Sequence, residues 1–185
     1  SEASNTPVML ELRIRACHVT GRFGAKANRK PLISRQALIE NPDFDFARIC
    51  LPPATFAQEK QKIEVRWPAA VKYLEENGLN EVFDGSIEDV GIITQGGHYN
   101  GVVRALQLLG LADAFGNTEI PIYCMNVTYP LVPSELTAFC AGKRTVLVVE
   151  EGQPAYLEDA ISATLRRHDV NSTVVGKQVF PLAGD

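Results

Sequence analysis

The run VGIITQGGHYNGVVRALQLLGL, residues 90–111, constrains the fold more than any other part of the chain. Val90, Ile92, Ile93 and Thr94 form a short β-rich run, and Gln95, Gly96 and Gly97 break it with residues that tolerate a tight turn. Val102, Val103, Leu106 and Leu109 then recur at helical spacing, and Gly110 supplies a C-terminal stop. A buried strand, a glycine-rich turn and an amphipathic helix in succession open a βαβ unit. In an open α/β sheet, ligands and partners meet the protein at the carboxyl ends of strands, so residues 95–100 are the first place to look for function.

The pattern repeats downstream. Residues 120–127 read as a second apolar strand, and Pro133 with Ser134 opens a short helix that runs to Cys140 and stops at Gly142. Residues 145–149 (TVLVV) read as a third strand. Pro154 sets the first turn of the last helix, where Leu157, Ile161 and Leu165 form an apolar stripe and Arg166 and Arg167 suit the negative end of the helix dipole. Residues 173–180 read as a fourth strand. Short strands alternating with helices predict an α/β fold, a three-layer α/β/α sandwich around a mostly parallel sheet.

The first third of the chain is different. Val8, Leu10, Leu12, Ile14 and Ala16 alternate with Met9, Glu11, Arg13 and Arg15, the period of a strand with one buried face, either the last strand of another domain or an edge strand added to the main sheet. Residues 21–53 carry Gly24, Pro31, Pro42, Pro52 and Pro53 with little periodicity, and read as an extended linker with a short helix at 34–40. Residues 55–77 hold strong helix formers, with Thr55 and Gln58 spaced as a capping box and Gly78 at the end. Pro68 predicts an interruption into helices at 56–65 and 68–77. The division expected is 1–20, the end of a preceding domain; 21–54, linker; and 55–185, the main α/β domain.

A net charge of −4 over 185 residues argues against nucleic acid as the main partner, and the cluster Arg22, Lys26, Arg29 and Lys30 reads as a solvated linker. No apolar run is long enough to span a bilayer, and SEASNTPV is not a signal sequence, so no membrane association and a cytoplasmic location are expected. Cys17, Cys50, Cys124 and Cys140 stand far apart with no C-x-x-C pair, which reads as reduced structural thiols. His18 and His168 have no partners at metal-ligand spacing, and no metal site is expected.

The glycines of GGHYNG fall at Gly96, Gly97 and Gly101, which matches neither a dinucleotide fingerprint nor a P-loop. Either Gly96 and Gly97 give backbone freedom while His98 or Asn100 caps the helix, or these residues face a ligand or a domain interface. Glu150 and Glu151 leave the end of a buried strand, where paired carboxylates can serve as acid and base. Adjacent strand residues point to opposite faces, which favours structural or interface carboxylates. Tyr129, Pro130 and Pro133 shape the loop on the same rim. The candidates for a ligand or interface rim are thus Gln95, Gly96, Gly97, His98, Asn100, Tyr129, Glu150 and Glu151, and none is assigned as catalytic.

Taken in order, VGIITQGGHYNGVVRALQLLGL, then IPIYCMNVTYPLVPSELTAFCAGKRTVLVVEEGQP, then an amphipathic helix resemble the transketolase C-terminal-like domain of 2-oxoacid:ferredoxin oxidoreductases. Within that group the chain looks most like the α subunits of the indolepyruvate type. TPVMLELRIRACHVTG resembles the last strand of the family's pyrimidine-binding domain, with Arg15, His18 and Gly21 at matching places, and residues 49–61 mirror its proline-bearing linker.

The resemblance implies a thiamine diphosphate enzyme that decarboxylates an aryl 2-oxoacid, passes electrons through iron–sulfur clusters to ferredoxin and forms an acyl-CoA. The chain lacks the GDG-type magnesium motif, the activating glutamate and the cysteine clusters of that machinery. It therefore reads as a middle slice, without cofactor of its own. Thiamine diphosphate, magnesium and iron–sulfur clusters would belong to the intact enzyme. The implied partners are the remaining thiamine-binding domains of the same chain, a β subunit or domain, ferredoxin, and a second copy in a homodimer. The alternatives are an independent Rossmann-like nucleotide- or CoA-binding module, and the equivalent domain of a transketolase or 2-oxoacid dehydrogenase.

Overall fold

Strand β2 (Val90–Gln95) pairs in parallel with β3 (Ile122–Met125) on one side and with β4 (Thr145–Val149) on the other. A strand flanked on both edges and covered on both faces needs apolar residues at consecutive positions, which is what β2 and β3 carry. The computed structural model describes residues 1–12, 14, 18, 20–22, 24, 25, 27, 39, 40 and 49–179. Contacts divide the chain into two units, Ser1–Tyr73 and Leu74–Asp185.

In the second unit the sheet order is β1-β3-β2-β4-β5. Strand β5 (Thr173–Val175) extends the parallel set beside β4, and β1 (Glu81–Phe83) pairs antiparallel with β3 at the far edge. Side chains alternate across the sheet with the strand period of two. Ile93, Tyr123, Met125, Val146 and Val148 enter one apolar cluster with Leu136, Phe139, Ile161 and Leu165. These last four come from α4 (Pro133–Cys140) and α5 (Tyr156–Arg167). Ile92 and Ile122, with Leu147 and Val149 packed against them, enter a second cluster with Val103 and Leu106 of α3 (Tyr99–Leu108). The expected α/β/α sandwich with a mostly parallel sheet is therefore present. Gly110 and Gly142 follow α3 and α4 with φ of 73° and 78°, the left-handed conformation that ends a helix without strain only at glycine.

Several expected boundaries move. The second strand is shorter than 120–127, because Pro121 has no N–H for the ladder and Asn126 turns to bond Leu79 and Glu81. The fourth ends at Val175 instead of running to 180, since the Lys177 N–H is held by Glu158 Oε2 at 3.1 Å and residues 177–179 coil into a 3-10 turn. Pro154 lies just ahead of α5, which begins at Tyr156.

In the first unit, α1 (Ala54–Gln61) begins before Thr55, so the capping box does not form. Gln58 Nε2 donates to the Ile49 carbonyl at 3.2 Å instead. Nor does Pro68 break the helix. A π-helical segment, Lys62–Arg66, leads directly into α2 (Trp67–Glu76), and the Trp67 N–H reaches back five residues to the Lys62 carbonyl. Widening the turn ahead of the proline accommodates its ring and its missing donor within a continuous helical run. Residues 8–12 are exposed and carry no strand, because alternation supplies a face but a strand also needs a neighbour to bond. Residues 13 and 15–17, residues 34–38 of the short helix and most of the linker lie outside the described residues. No helix among the described residues is long and apolar enough to cross a membrane.

The sheet contains one polar side chain whose burial makes a testable demand. Tyr123 is 1% exposed, and its hydroxyl donates to Glu135 Oε2 at 2.6 Å and accepts from Asn80 Nδ2 at 3.0 Å. Burial first, and the Glu135 carboxylate second, push its pKa far above the ordinary phenol value. The folded state thus keeps the proton while an unfolded chain loses it near pH ~10, so the stabilisation is complete below that pH and falls as pH rises. Tyr99, also raised chiefly by burial, acts in the same direction. We expect the urea midpoint of the chain to fall above about pH 10 and Tyr123→Phe to make that fall shallower. An identical alkaline slope in the variant would contradict this origin.

Candidate functional site

Because β2, β3 and β4 run parallel, their carboxyl ends open on one rim, and most of the predicted residues lie there. Gln95 ends β2 and its Oε1 accepts the Glu151 N–H at 3.1 Å, tying the glycine turn to the segment after β4. Gly96, Gly97 and His98 form a single 3-10 turn that leads into α3. A Cβ on Gly96 would stand 2.6 Å from Asn126 Oδ1, so a larger residue here would require the Asn126 side chain to shift.

Neither expected residue caps α3. His98 occupies the N-cap position, but its side chain makes no capping bond, and Asn100 is exposed within the first turn of the helix. Tyr99 instead anchors this helix start by stacking on Phe83 of β1, with ring centroids 4.7 Å apart. Its hydroxyl pKa is raised by burial, then by Cys124 and Glu81. Cys124 lies in β3 and Cys140 at the end of α4, and burial pushes both thiols up to about 11. They are core side chains with little thiolate at neutral pH, as the sequence implied.

The two glutamates separate. Glu150 turns inward with 3% of its side chain exposed, and its oxygens accept the N–H groups of Leu157 at 2.9 Å and Glu158 at 3.2 Å. These are unpaired donors in the first turn of α5, so Glu150 is the helix's cap, and its charge meets the positive end of the dipole. Lys177 Nζ lies 3.6 Å from Glu150 Oε1 and donates to the Pro154 carbonyl at 2.8 Å. Glu151 is exposed. The two carboxylates thus meet different surroundings, one committed to a helix start and the other at the surface. Tyr129, 75% exposed, stands on the loop between β3 and α4.

Sequence reasoning missed Asn80, Asn126, Glu135, Glu158 and Lys177. The one signal available was Tyr123 inside an otherwise apolar strand, since a buried phenol requires a partner. A hollow of about 380 Å³ opens at the opposite end of the sheet, between Gly85, Pro121, Phe139 and Lys143. It contains none of the predicted residues.

Residues 79–180 match the family model described as the indolepyruvate ferredoxin oxidoreductase middle domain. The chain is 31% identical over 157 residues to the indolepyruvate oxidoreductase subunit IorA of Methanothermobacter thermautotrophicus, covering 83% of this chain and 23% of that protein. It is 29% identical over 178 residues to the same subunit of Methanothermobacter marburgensis, covering 96% of this chain and 27% of that one. The chain thus spans about a quarter of the length of these relatives. A solved 2-oxoglutarate:ferredoxin oxidoreductase from Magnetococcus marinus, with 2-oxoglutarate, coenzyme A and succinyl-CoA bound, aligns with a TM-score of 0.48 at 23% identity, over 67% of this chain and 20% of its own. On the match to residues 79–180, the chain belongs to the indolepyruvate ferredoxin oxidoreductase middle-domain family.

Proposed function

We propose that this chain is a non-catalytic interface domain of a thiamine diphosphate-dependent enzyme that oxidatively decarboxylates an aryl 2-oxoacid to an acyl-CoA, with ferredoxin as electron acceptor. In this reading the rim formed by Gln95, Gly96, Gly97, His98, Asn100, Tyr129 and Glu151 packs on the cofactor-binding domains of the intact enzyme, on its β subunit or on a dimer mate. The family match supports the enzyme class, and the state of Glu150 supports the role.

Glu150 carries the argument. A carboxylate that works as acid, base or metal ligand needs oxygens available to substrate, proton or ion. Glu150 commits both of its oxygens to the backbone of α5, with Lys177 beside one of them. Glu150 consequently does not fit a ligand of a magnesium-bound diphosphate, and no chemical step is assigned to the rim. In the intact protein the cofactors would be held by other parts of the enzyme.

Two measurements test this. Glu150→Ala should destabilise the chain by about 1–3 kcal/mol in urea unfolding, because two helix N–H groups lose their acceptor and Lys177 loses its counter-charge. Lys177→Met should cost much less once Glu150 is gone, and strict additivity would contradict the coupling. Separately, calorimetric titration of the chain with thiamine diphosphate and magnesium should give no saturable heat. Saturable heat would overturn the non-catalytic reading. A melting temperature raised by NAD, ATP or CoA would favour a small-ligand module instead.

A further inference from the structure

Three hydrogen bonds converge on the side chain of Asn80, which directly precedes β1 and is 9% exposed. Its Oδ1 accepts the Val127 N–H at 3.0 Å, where the chain leaves β3. Its Nδ2 donates to Glu135 Oε2 at 2.9 Å and to Tyr123 Oη at 3.0 Å. Glu135 lies in the first turn of α4. The loop that joins β3 to α4 runs between these attachments and carries Tyr129 at its exposed crest. One amide group grips both ends of one loop.

The partners dictate the residue. A backbone N–H requires an acceptor and a carboxylate requires a donor, and a primary amide presents both from a single carbon. Aspartate keeps the acceptor but loses the donor and sets a like charge against Glu135. An apolar side chain satisfies neither partner and leaves buried polar groups unpaired. Asn126 reinforces the arrangement from the other strand, since its Nδ2 donates to the Leu79 carbonyl at 3.1 Å and to Glu81 Oε2 at 2.9 Å. The start of β1 and the exit of β3 are thus stitched in both directions.

We propose that Asn80 is a positioning residue that sets the conformation of the loop over residues 126–132 and, through it, the place of Tyr129 on the rim. The purpose of that placement rests on the reading of the rim as an interface. The placement itself is measurable without any partner. A loop held in one conformation before contact loses less freedom on binding, which is the advantage such a staple confers on an exposed aromatic.

Amide hydrogen exchange on the full chain tests the proposal. In Asn80→Ala, exchange at Val127, whose N–H loses its acceptor, should rise about tenfold or more, the effect of losing one hydrogen bond. Amides of β4 and α5, such as Val148 and Leu165, should keep their protection. Asn80→Asp should leave Val127 protected and accelerate Leu136, whose N–H bonds the Val132 carbonyl where the loop enters α4, because only the Glu135 end is released. Tyr123→Phe, which leaves both grips of Asn80 in place, should leave the loop close to the parent chain. An unchanged loop in Asn80→Ala, or acceleration spread equally over β4 and α5, overturns the proposal. Either failure is separate from that of the interface reading, which the cofactor titration decides without reference to this loop.

Discussion

The pairing of β2 with parallel neighbours on both edges is the constraint from which the rest of this domain follows. Its register sets Ile92 opposite Ile122 on one side and Leu147 on the other, so β2, β3 and β4 end together. Parallel strands cannot be joined by tight hairpins, and each crossover must carry a helix over a face of the sheet. Helix α3 consequently covers one face, and α4 and α5 the other. Every helix that follows a parallel strand starts at the same rim, and every one brings unpaired N–H groups with it. What fills those N–H groups determines what the rim can do.

Two of the three helix starts are held by polar side chains from the neighbouring strands and their exits. Glu150, which leaves β4, supplies an anion to α5 from within the chain. Glu135, in the first turn of α4, is held by Tyr123 from β3 and by Asn80. The start of α3 is anchored differently, by the stacking of Tyr99 on Phe83. Polar groups at the carboxyl ends of the strands are thus largely engaged with one another, as in Gln95 with Glu151 and Asn126 with Glu81. A rim organised this way has many of its polar groups satisfied within the domain.

Much of the architecture was legible because periodicity reports burial. Residues 146–149 alternate between the two clusters as the strand period requires, and Leu157, Ile161 and Leu165 lie along one face of α5. Strand β1 was not legible, since three residues at an antiparallel edge give too short a pattern to separate from a loop. The run at 8–16 is a different case. Its alternation is strong, but residues 8–12 lie exposed without a neighbouring strand, and a pattern on one segment carries no information about a partner. Pro68 does not end the helix, because the chain ahead of it widens from i→i+4 to i→i+5 bonding.

The site was less legible than the fold, and the difference has a physical basis. Apolar residues announce burial by type, whereas a polar residue acquires its role from whatever the fold brings to it. Glu150 and Glu151 are chemically identical in sequence, yet one caps a helix at 3% side-chain exposure and the other is exposed. Asn80 stands 43 residues from Tyr123 and 55 from Glu135, separations over which no spacing rule operates. What links them is the placement of antiparallel β1 beside β3, which brings Asn80 alongside the exit of β3 and the start of α4. The least visible strand in the sequence is therefore the one that delivers the polar group on which the rim loop depends.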